Sequence, residues 1–240
     1  MSGEPILAVH GLCAWYGAAP ILFDLDLDVG GGEVVALMGR NGAGKSTTLK
    51  AIMGLVARRR GSVRFDGHDV SALEPYRIAR LGLGFTPEDR RIFSDLTVME
   101  NLEVGRQPPR GSARGAPWTP ERLFALFPNL AERRDHFGSE MSGGEQQMLA
   151  VARTLMGNPL AVLLDEPSEG VAPLIVEQMA NTILELKQQG LSILLSEQNI
   201  HFAALVSDRV YVLEKGHICW DGAMAALLED GDLQRAFLTV

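Results

Sequence analysis

The chain has 240 residues, 46% of them hydrophobic and 22% charged, with a formal net charge of −8 and a mean hydropathy of +0.07. That is enough chain for one large or two small domains around an ample core, and its acidic balance argues against a protein whose main partner is a polyanion such as DNA. No stretch approaches the roughly eighteen apolar residues of a membrane span, and Met1-Ser-Gly-Glu-Pro lacks the basic and apolar regions of a signal peptide, so a cytoplasmic chain is expected.

In chain order, 6–16 and 21–29 read as strands, the second from the alternation of Leu22, Asp24, Asp26 and Asp28 against Phe23, Leu25 and Leu27. A Gly30-Gly31-Gly32 turn resets the chain, 33–38 is a buried strand, and 45–55 follows a Gly-rich loop with helical character. Segment 62–68 alternates and carries Asp66-Gly67, a hairpin signal for an antiparallel subsheet. Short helices are expected over 95–128, interrupted by a Pro/Gly/Arg surface loop at 107–117. Thereafter helix and buried strand alternate: helix 142–157, strand 160–165, helix 173–188, strand 191–196, helix 199–205 and strands near 209–214 and 217–221. That alternation calls for a parallel sheet with helices on both faces. Cys13 and Cys219 have no metal-ligand spacing and read as small apolar fillers, and the basic clusters Arg58-Arg59-Arg60, Arg90-Arg91 and Arg106/Arg110/Arg114 read as solvated surface.

Three motifs carry chemistry. In Gly39-Arg40-Asn41-Gly42-Ala43-Gly44-Lys45-Ser46, followed by Thr47, the glycines permit a backbone that curls N–H groups around a β-phosphate at the positive end of the next helix. Lys45 brings a point charge to the β- and γ-phosphates, and Ser46 offers a hydroxyl to Mg²⁺. A chance match in a chain of this length has a probability on the order of one per cent, and the alternative is a Gly-rich turn before a helix. Second, the strand at 160–164 delivers Asp165 and Glu166 at its carboxyl end, where parallel sheets bind ligands. Asp165 suits Mg²⁺ and Glu166 suits activation of the attacking water; a pair of surface acids before a helix-starting proline is the other reading. Third, Ser142-Gly143-Gly144-Glu145-Gln146 contains a capping box, Ser142 with Glu145, which many structural helices use. A cap does not require two glycines in the first turn, where each costs about 1 kcal/mol against alanine, so the helix tip reads as a second anion site. The helix behind it is expected to bury Met148, Val151, Ala152 and Leu155.

With these motifs in this order, and with Phe85-Thr-Pro-Glu-Asp-Arg-Arg-Ile-Phe93, Leu96-Thr-Val-Met-Glu-Asn-Leu102, Asp165-Glu-Pro-Ser-Glu-Gly-Val-Ala-Pro173 and Glu197-Gln-Asn199, the whole chain resembles the nucleotide-binding subunits of ATP-binding cassette (ABC) transporters. More narrowly, it is similar to the smaller ATPase subunit of branched-chain amino acid and related urea or amide uptake systems. The resemblance implies an α/β phosphate-loop NTPase: a parallel core sheet flanked by helices, with an antiparallel β subdomain and an α-helical signature subdomain. It implies one nucleotide-binding domain over 1–240, the core and antiparallel part from 1–90 and 160–240 and the helical part from about 91–159. ATP and Mg²⁺ are the implied cofactors, with hydrolysis in a dimer that sets Ser142, Gly143, Gly144 and Glu145 against the ATP of the opposite subunit. The dimer is formed with a second copy or a related ATPase subunit. Two transmembrane permease subunits and, indirectly, an extracytoplasmic substrate-binding protein are the implied partners, with no nucleic acid, and the subunit is placed peripherally on the inner face of the cell membrane. Carried over by position, Tyr16 stacks on adenine, with a core tyrosine as the alternative, and Glu88 lies in the loop that senses Mg²⁺ and couples to the permeases.

Three positions depart from the general family pattern. Glu88 stands where most relatives carry glutamine, and as an anion it either binds Mg²⁺ more firmly or moves the coupling geometry. Gln198 stands at the switch histidine, and it can donate to a γ-phosphate oxygen but cannot shuttle a proton. His201, three residues on, would share its face on a helix and is weighed as a substitute imidazole. Ala172 replaces a common dimer-contact aspartate; the narrower subgroup shares the last two departures. A nucleic-acid-directed ABC ATPase is the competing reading, and it would call for long coiled-coil or zinc insertions or a second cassette.

Overall fold

The computed structural model describes residues 4–110 and 116–237, so Met1 to Gly3, Arg114 and the middle of the 107–117 loop lie outside the described residues. Two sheets organise the chain. The first is antiparallel, ordered β2-β1-β4-β5, from β1 (Leu7–Tyr16), β2 (Ala19–Val29), β4 (Arg58–Phe65) and β5 (His68–Asp69). Its hairpin turns on Asp66 and Gly67, both at positive φ (46° and 74°), which is why an Asp-Gly pair sits there.

The second sheet has six strands ordered β10-β9-β3-β8-β7-β6. They are β3 (Val34–Met38), β6 (Leu83–Thr86), β7 (Ala161–Asp165), β8 (Ser192–Glu197), β9 (Arg209–Glu214) and β10 (His217–Ala223). All neighbours pair in parallel except β10 on β9. Strands β3, β7 and β8 are buried along their whole length, which accounts for their continuous apolar runs. Their side chains still alternate between two cores. Val35, Leu37, Leu163 and Leu194 pack with the antiparallel sheet and α1 (Lys45–Ile52), whereas Val34, Ala36, Met38, Val162, Leu164, Ile193 and Leu195 pack with helices on the other face. Those helices include α3 (Val98–Gly105), α6 (Gly143–Leu155), α7 (Pro173–Gln188) and α8 (Ile200–Val206). Met148, Val151, Ala152 and Leu155 of α6 are buried as the periodicity requires.

Short elements escape the sequence pattern: α2 (Pro75–Leu81), β6, α5 (Pro128–Glu132), α9 (Met224–Glu229) and α10 (Gly231–Phe237), while α4 (Pro120–Leu126) falls where a short helix is expected. Two surface expectations change. Arg59 is half-buried and donates to the carbonyls of Gly54, Val56 and Ser71, and Arg110 donates to those of Ala79, Arg80, Gly157 and Asn158; carbonyls at helix ends and in adjoining loops, not solvent, take these guanidinium groups. Cys13 is buried as a filler, but Cys219 is exposed on β10.

Candidate functional site

The loop between β3 and α1 closes a strand, glycine-rich loop, helix unit. Gly44 sits at φ 114°, and at Gly39 a Cβ would lie 2.3 Å from the Leu213 carbonyl oxygen, so neither position admits a side chain. Lys45 is only 3% exposed; its ammonium donates to the carbonyls of Gly39 (2.8 Å) and Arg40 (3.3 Å) and ion-pairs with Glu166 Oε1 at 3.0 Å. A pocket gathers Asn41, Gly42, Gly44, Lys45, Ser46 and Thr47 with Glu88, Glu166 and Glu169. Gly39, Arg40 and Ala43 build the loop behind it: Ala43 N donates to Arg40 O, and Ala43 O accepts from Gly216 N.

β7 ends at Asp165, and the chain turns at Glu166, a non-glycine residue at φ 49°. Such a backbone costs about 1–3 kcal/mol and persists only where neighbours enforce it. Here Glu166 N donates to both the carbonyl and the hydroxyl of Ser196 (3.1 and 3.2 Å). Ser196 Oγ in turn donates to Asp165 Oδ1 at 2.7 Å. The other Asp165 oxygen, Oδ2, is buried without a hydrogen-bond partner, which is the arrangement of a carboxylate that has one lone-pair face reserved for a cation. Among the described residues no cluster of three or more His, Cys, Asp or Glu forms a cation cage; a single open carboxylate oxygen suits Mg²⁺ that takes most of its ligands from water and phosphate.

Glu166 and Glu169 interact. Burial pushes the Glu166 carboxyl up, but hydrogen bonds from Glu169 and Lys45 and the Lys45 charge outweigh it and hold Glu166 below the usual carboxylate range. Glu169 is raised to about 7, first by its hydrogen bond to Glu166, then by desolvation and the charges of Glu166 and Glu88. The two carboxyls are thus driven apart, Glu169 upward and Glu166 downward, and Glu166 is the member of the pair better suited to accept a proton in its ionised form.

The remaining expected site residues fall into separate places. Tyr16 ends β1 with 51% exposure, which removes the core-tyrosine alternative and leaves its ring open for stacking. Ser142, Gly143, Gly144 and Glu145 open α6 and do not line the pocket of Lys45. The capping box forms: Ser142 Oγ accepts from Glu145 N, and Glu145 Oε2 accepts from Ser142 N at 2.8 Å while Oε1 pairs with Arg133 at 2.6 Å. Gly144 has a packing reason that the sequence reading did not supply, because a Cβ there would meet Ile175 of α7 at 2.7 Å. Gln198 is half-buried and lies before Asn199, whose side chain caps α8 by accepting from His201 N and Phe202 N. The helical face proposed to unite Gln198 with His201 therefore does not exist, since Gln198 precedes the helix and His201 is exposed. Sequence reasoning missed Glu169, Ser196 and Glu197; Ser196 acts through strand register, opposite Asp165 in the β7–β8 pair, which no local pattern encodes.

A phosphate-cradling loop with a buried lysine, an aspartate with an open oxygen and an ionised glutamate defines a nucleoside-triphosphate-hydrolysing class of protein. The comparisons narrow it. The ABC transporter family profile matches residues 22–169. The chain is 40% identical over 233 residues, 97% of its length and 99% of the relative's, to the high-affinity branched-chain amino acid transport ATP-binding protein BraG of Pseudomonas aeruginosa. It is 34% identical, over 97% of its length and 96% of the relative's, to the lipopolysaccharide export system ATP-binding protein LptB of Escherichia coli. It is also 35% identical, over 91% and 92%, to a probable branched-chain amino acid transport ATP-binding protein LivF of Archaeoglobus fulgidus. Among solved structures, a nucleotide-free ATP-binding cassette from an ABC transporter superposes with TM-score 0.80 at 28% identity, covering 96% of this chain and 97% of that one. The ADP conformation of an ATP-binding cassette of an ABC transporter gives 0.79 at 28%, covering 97% and 98%. The chain belongs to the ABC transporter family, and it is an ATP-binding ATPase of that family with the cassette fold.

Proposed function

We propose that this subunit energises an ABC importer for branched-chain amino acids or a related small polar solute. The observation that carries the reading is the 40% identity to BraG along 97% of the chain, supported by the LivF match. LptB relatives at 34% favour a second reading, lipopolysaccharide export. In either case the chemistry of the site is the same. Lys45 and the backbone of 39–47 hold the triphosphate, Tyr16 stacks on the base, and Ser46, Asp165 and Glu88 hold Mg²⁺, which neutralises phosphate charge when bound. Glu166 accepts a proton from the attacking water, Gln198 donates to a γ-phosphate oxygen, and the tip at Ser142 to Glu145 closes on the nucleotide of a second ATPase subunit. Closure upon ATP and reopening after hydrolysis supply motion to two permease subunits, and an extracytoplasmic binding protein delivers solute to them.

None of the described helices is long and apolar enough to cross a membrane, which fits a subunit that sits on the inner membrane face through separate permeases. A groove bounded by α2, β6 and α3 exposes Leu55, Tyr76, Phe93 and Val104, and we assign it to a cytoplasmic segment of the permease. Purification from membranes with the associated permeases, followed by ATPase assays in vesicles, tests the proposal. Stimulation by leucine, isoleucine, valine or a small amide through a binding protein is the expected result; stimulation by lipopolysaccharide instead would replace the import reading with export.

A further inference from the structure

Glu197 closes β8 with 2% exposure, and no part of the hydrolytic chemistry above uses it. Its carboxylate is fully engaged by backbone: Oε1 accepts from Ser168 N at 3.0 Å, and Oε2 accepts from Gln198 N at 3.1 Å and Asn199 N at 3.2 Å. Ser168 belongs to the loop after β7, two residues beyond the strained Glu166, whereas Gln198 and Asn199 belong to the loop after β8. One side chain thus joins two loops that leave the carboxyl ends of the neighbouring strands β7 and β8. Helix capping does not account for it, since α8 already takes its cap from the Asn199 side chain and Ser168 N lies outside any helix. Burial pushes the Glu197 carboxyl up, against the pull of its hydrogen bonds from Ser168, Asn199 and Gln198.

We propose that Glu197 is a positioning residue of the hydrolytic site, whose carboxylate locks the loop following Glu166 to the loop that carries Gln198. The proposal rests on Gln198 as a γ-phosphate contact. It explains how a site with glutamine at the switch position keeps its geometry: the amide side chain has only hydrogen-bonding reach, so its backbone must be held in place relative to Glu166.

Glu197→Gln is close to isosteric but presents one acceptor and one NH₂ group, so one of the two loops meets a donor where it had an acceptor. In the full-length subunit, kcat for ATP hydrolysis is expected to fall about tenfold or more while KM for ATP stays within about twofold. Glu197→Asp keeps both oxygens and the charge and is expected to give an intermediate kcat. In a Gln198→Ala background the same Glu197→Gln change should cost less than about threefold, because the residue it positions is gone. Wild-type kcat in folded Glu197→Gln, or an undiminished penalty beside Gln198→Ala, overturns the proposal. Should Glu197→Gln fail to fold, Glu197→Asp carries the test, with a lowered kcat at unchanged KM expected and a wild-type kcat overturning it. Gln198→Ala alone separates the two readings: wild-type turnover there removes the γ-phosphate role of Gln198, whereas a slowed Gln198→Ala beside a normal Glu197→Gln removes only the role of Glu197.

Discussion

Lys45 and Glu166 face each other across 3.0 Å, at 3% and 8% exposure, in the pocket that the phosphate loop builds. In the proposed mechanism a triphosphate would compete with the glutamate for the ammonium, which would couple binding to activation of the base: phosphate oxygens that take Lys45 would free Glu166 for water. The two carbonyls of Gly39 and Arg40 keep Lys45 in place through the exchange. Glu166→Gln keeps the shape and a hydrogen bond to Lys45 but cannot accept a proton. We expect ATP affinity within a few-fold of wild type, kcat lower by about 100-fold or more, and accumulation of an ATP-bound dimer on size exclusion. Turnover near the wild-type rate would remove Glu166 from the base role. Asp165, Lys45 and Ser46 stand out in the sequence because their motifs are contiguous. Ser196 and Glu197 do not, because they reach the site through the pairing of β7 with β8, across some thirty residues of chain.

Helix α6 shows the same division one scale up. Its start was legible because the capping box is local: Ser142 and Glu145 are three residues apart and exchange both hydrogen bonds. The reason for Gly144 was not legible, since Ile175, the side chain that fills its missing Cβ, belongs to α7. β6 went unread for a related reason. It is four residues long and contains Gly84, whose absent side chain makes room for Thr154 of α6, so it has neither length nor pattern. The cap itself yields a pH prediction. Burial raises the Glu145 carboxyl, but its hydrogen bonds with Ser142 and the Arg133 charge outweigh that and leave it below its ordinary value of 4.5. A depressed folded-state value means the stabilisation is present above 4.5 and is lost as pH falls through the folded-state value. Glu145→Gln should therefore lower stability by about 1 kcal/mol at pH 7, and urea unfolding should show the difference shrinking as the pH falls below 4.5 and through the depressed folded-state value. A difference that persists unchanged in acid would mean that packing, not the charged cap, holds this turn.

Across the whole molecule, the hydrolytic pocket and the apolar groove share β6 and the loop that follows it. Leu83, Gly84 and Phe85 line the groove, and Glu88, three residues on, lines the pocket. Arg90 and Arg91 in that loop both sit at positive φ (62° and 50°) and are held there from α6: Arg153 donates to both of their carbonyls, and Gln147 accepts from Arg90 Nε at 3.2 Å. For a permease segment docked in the groove as proposed, these contacts provide a path on one side to Glu88 and on the other to the helix whose tip carries Ser142. This arrangement separates docking from chemistry in a way mutagenesis can read. Tyr76 is 53% exposed at the groove wall, with Arg77 and Arg80 stacked near its ring, and Val104 is exposed across from it on α3. Neither touches the nucleotide pocket. Tyr76→Ala removes an aromatic anchor and Val104→Asp places an unpaired charge against an apolar partner. Each should weaken co-purification with the permeases by about tenfold or more, since roughly 1.4 kcal/mol is enough for that factor, while ATP hydrolysis by the isolated subunit stays within about twofold. Permease association that survives both substitutions would move the docking surface away from this groove, whereas a parallel loss of ATPase activity in the isolated subunit would show that the groove shapes the catalytic loop even without its partner.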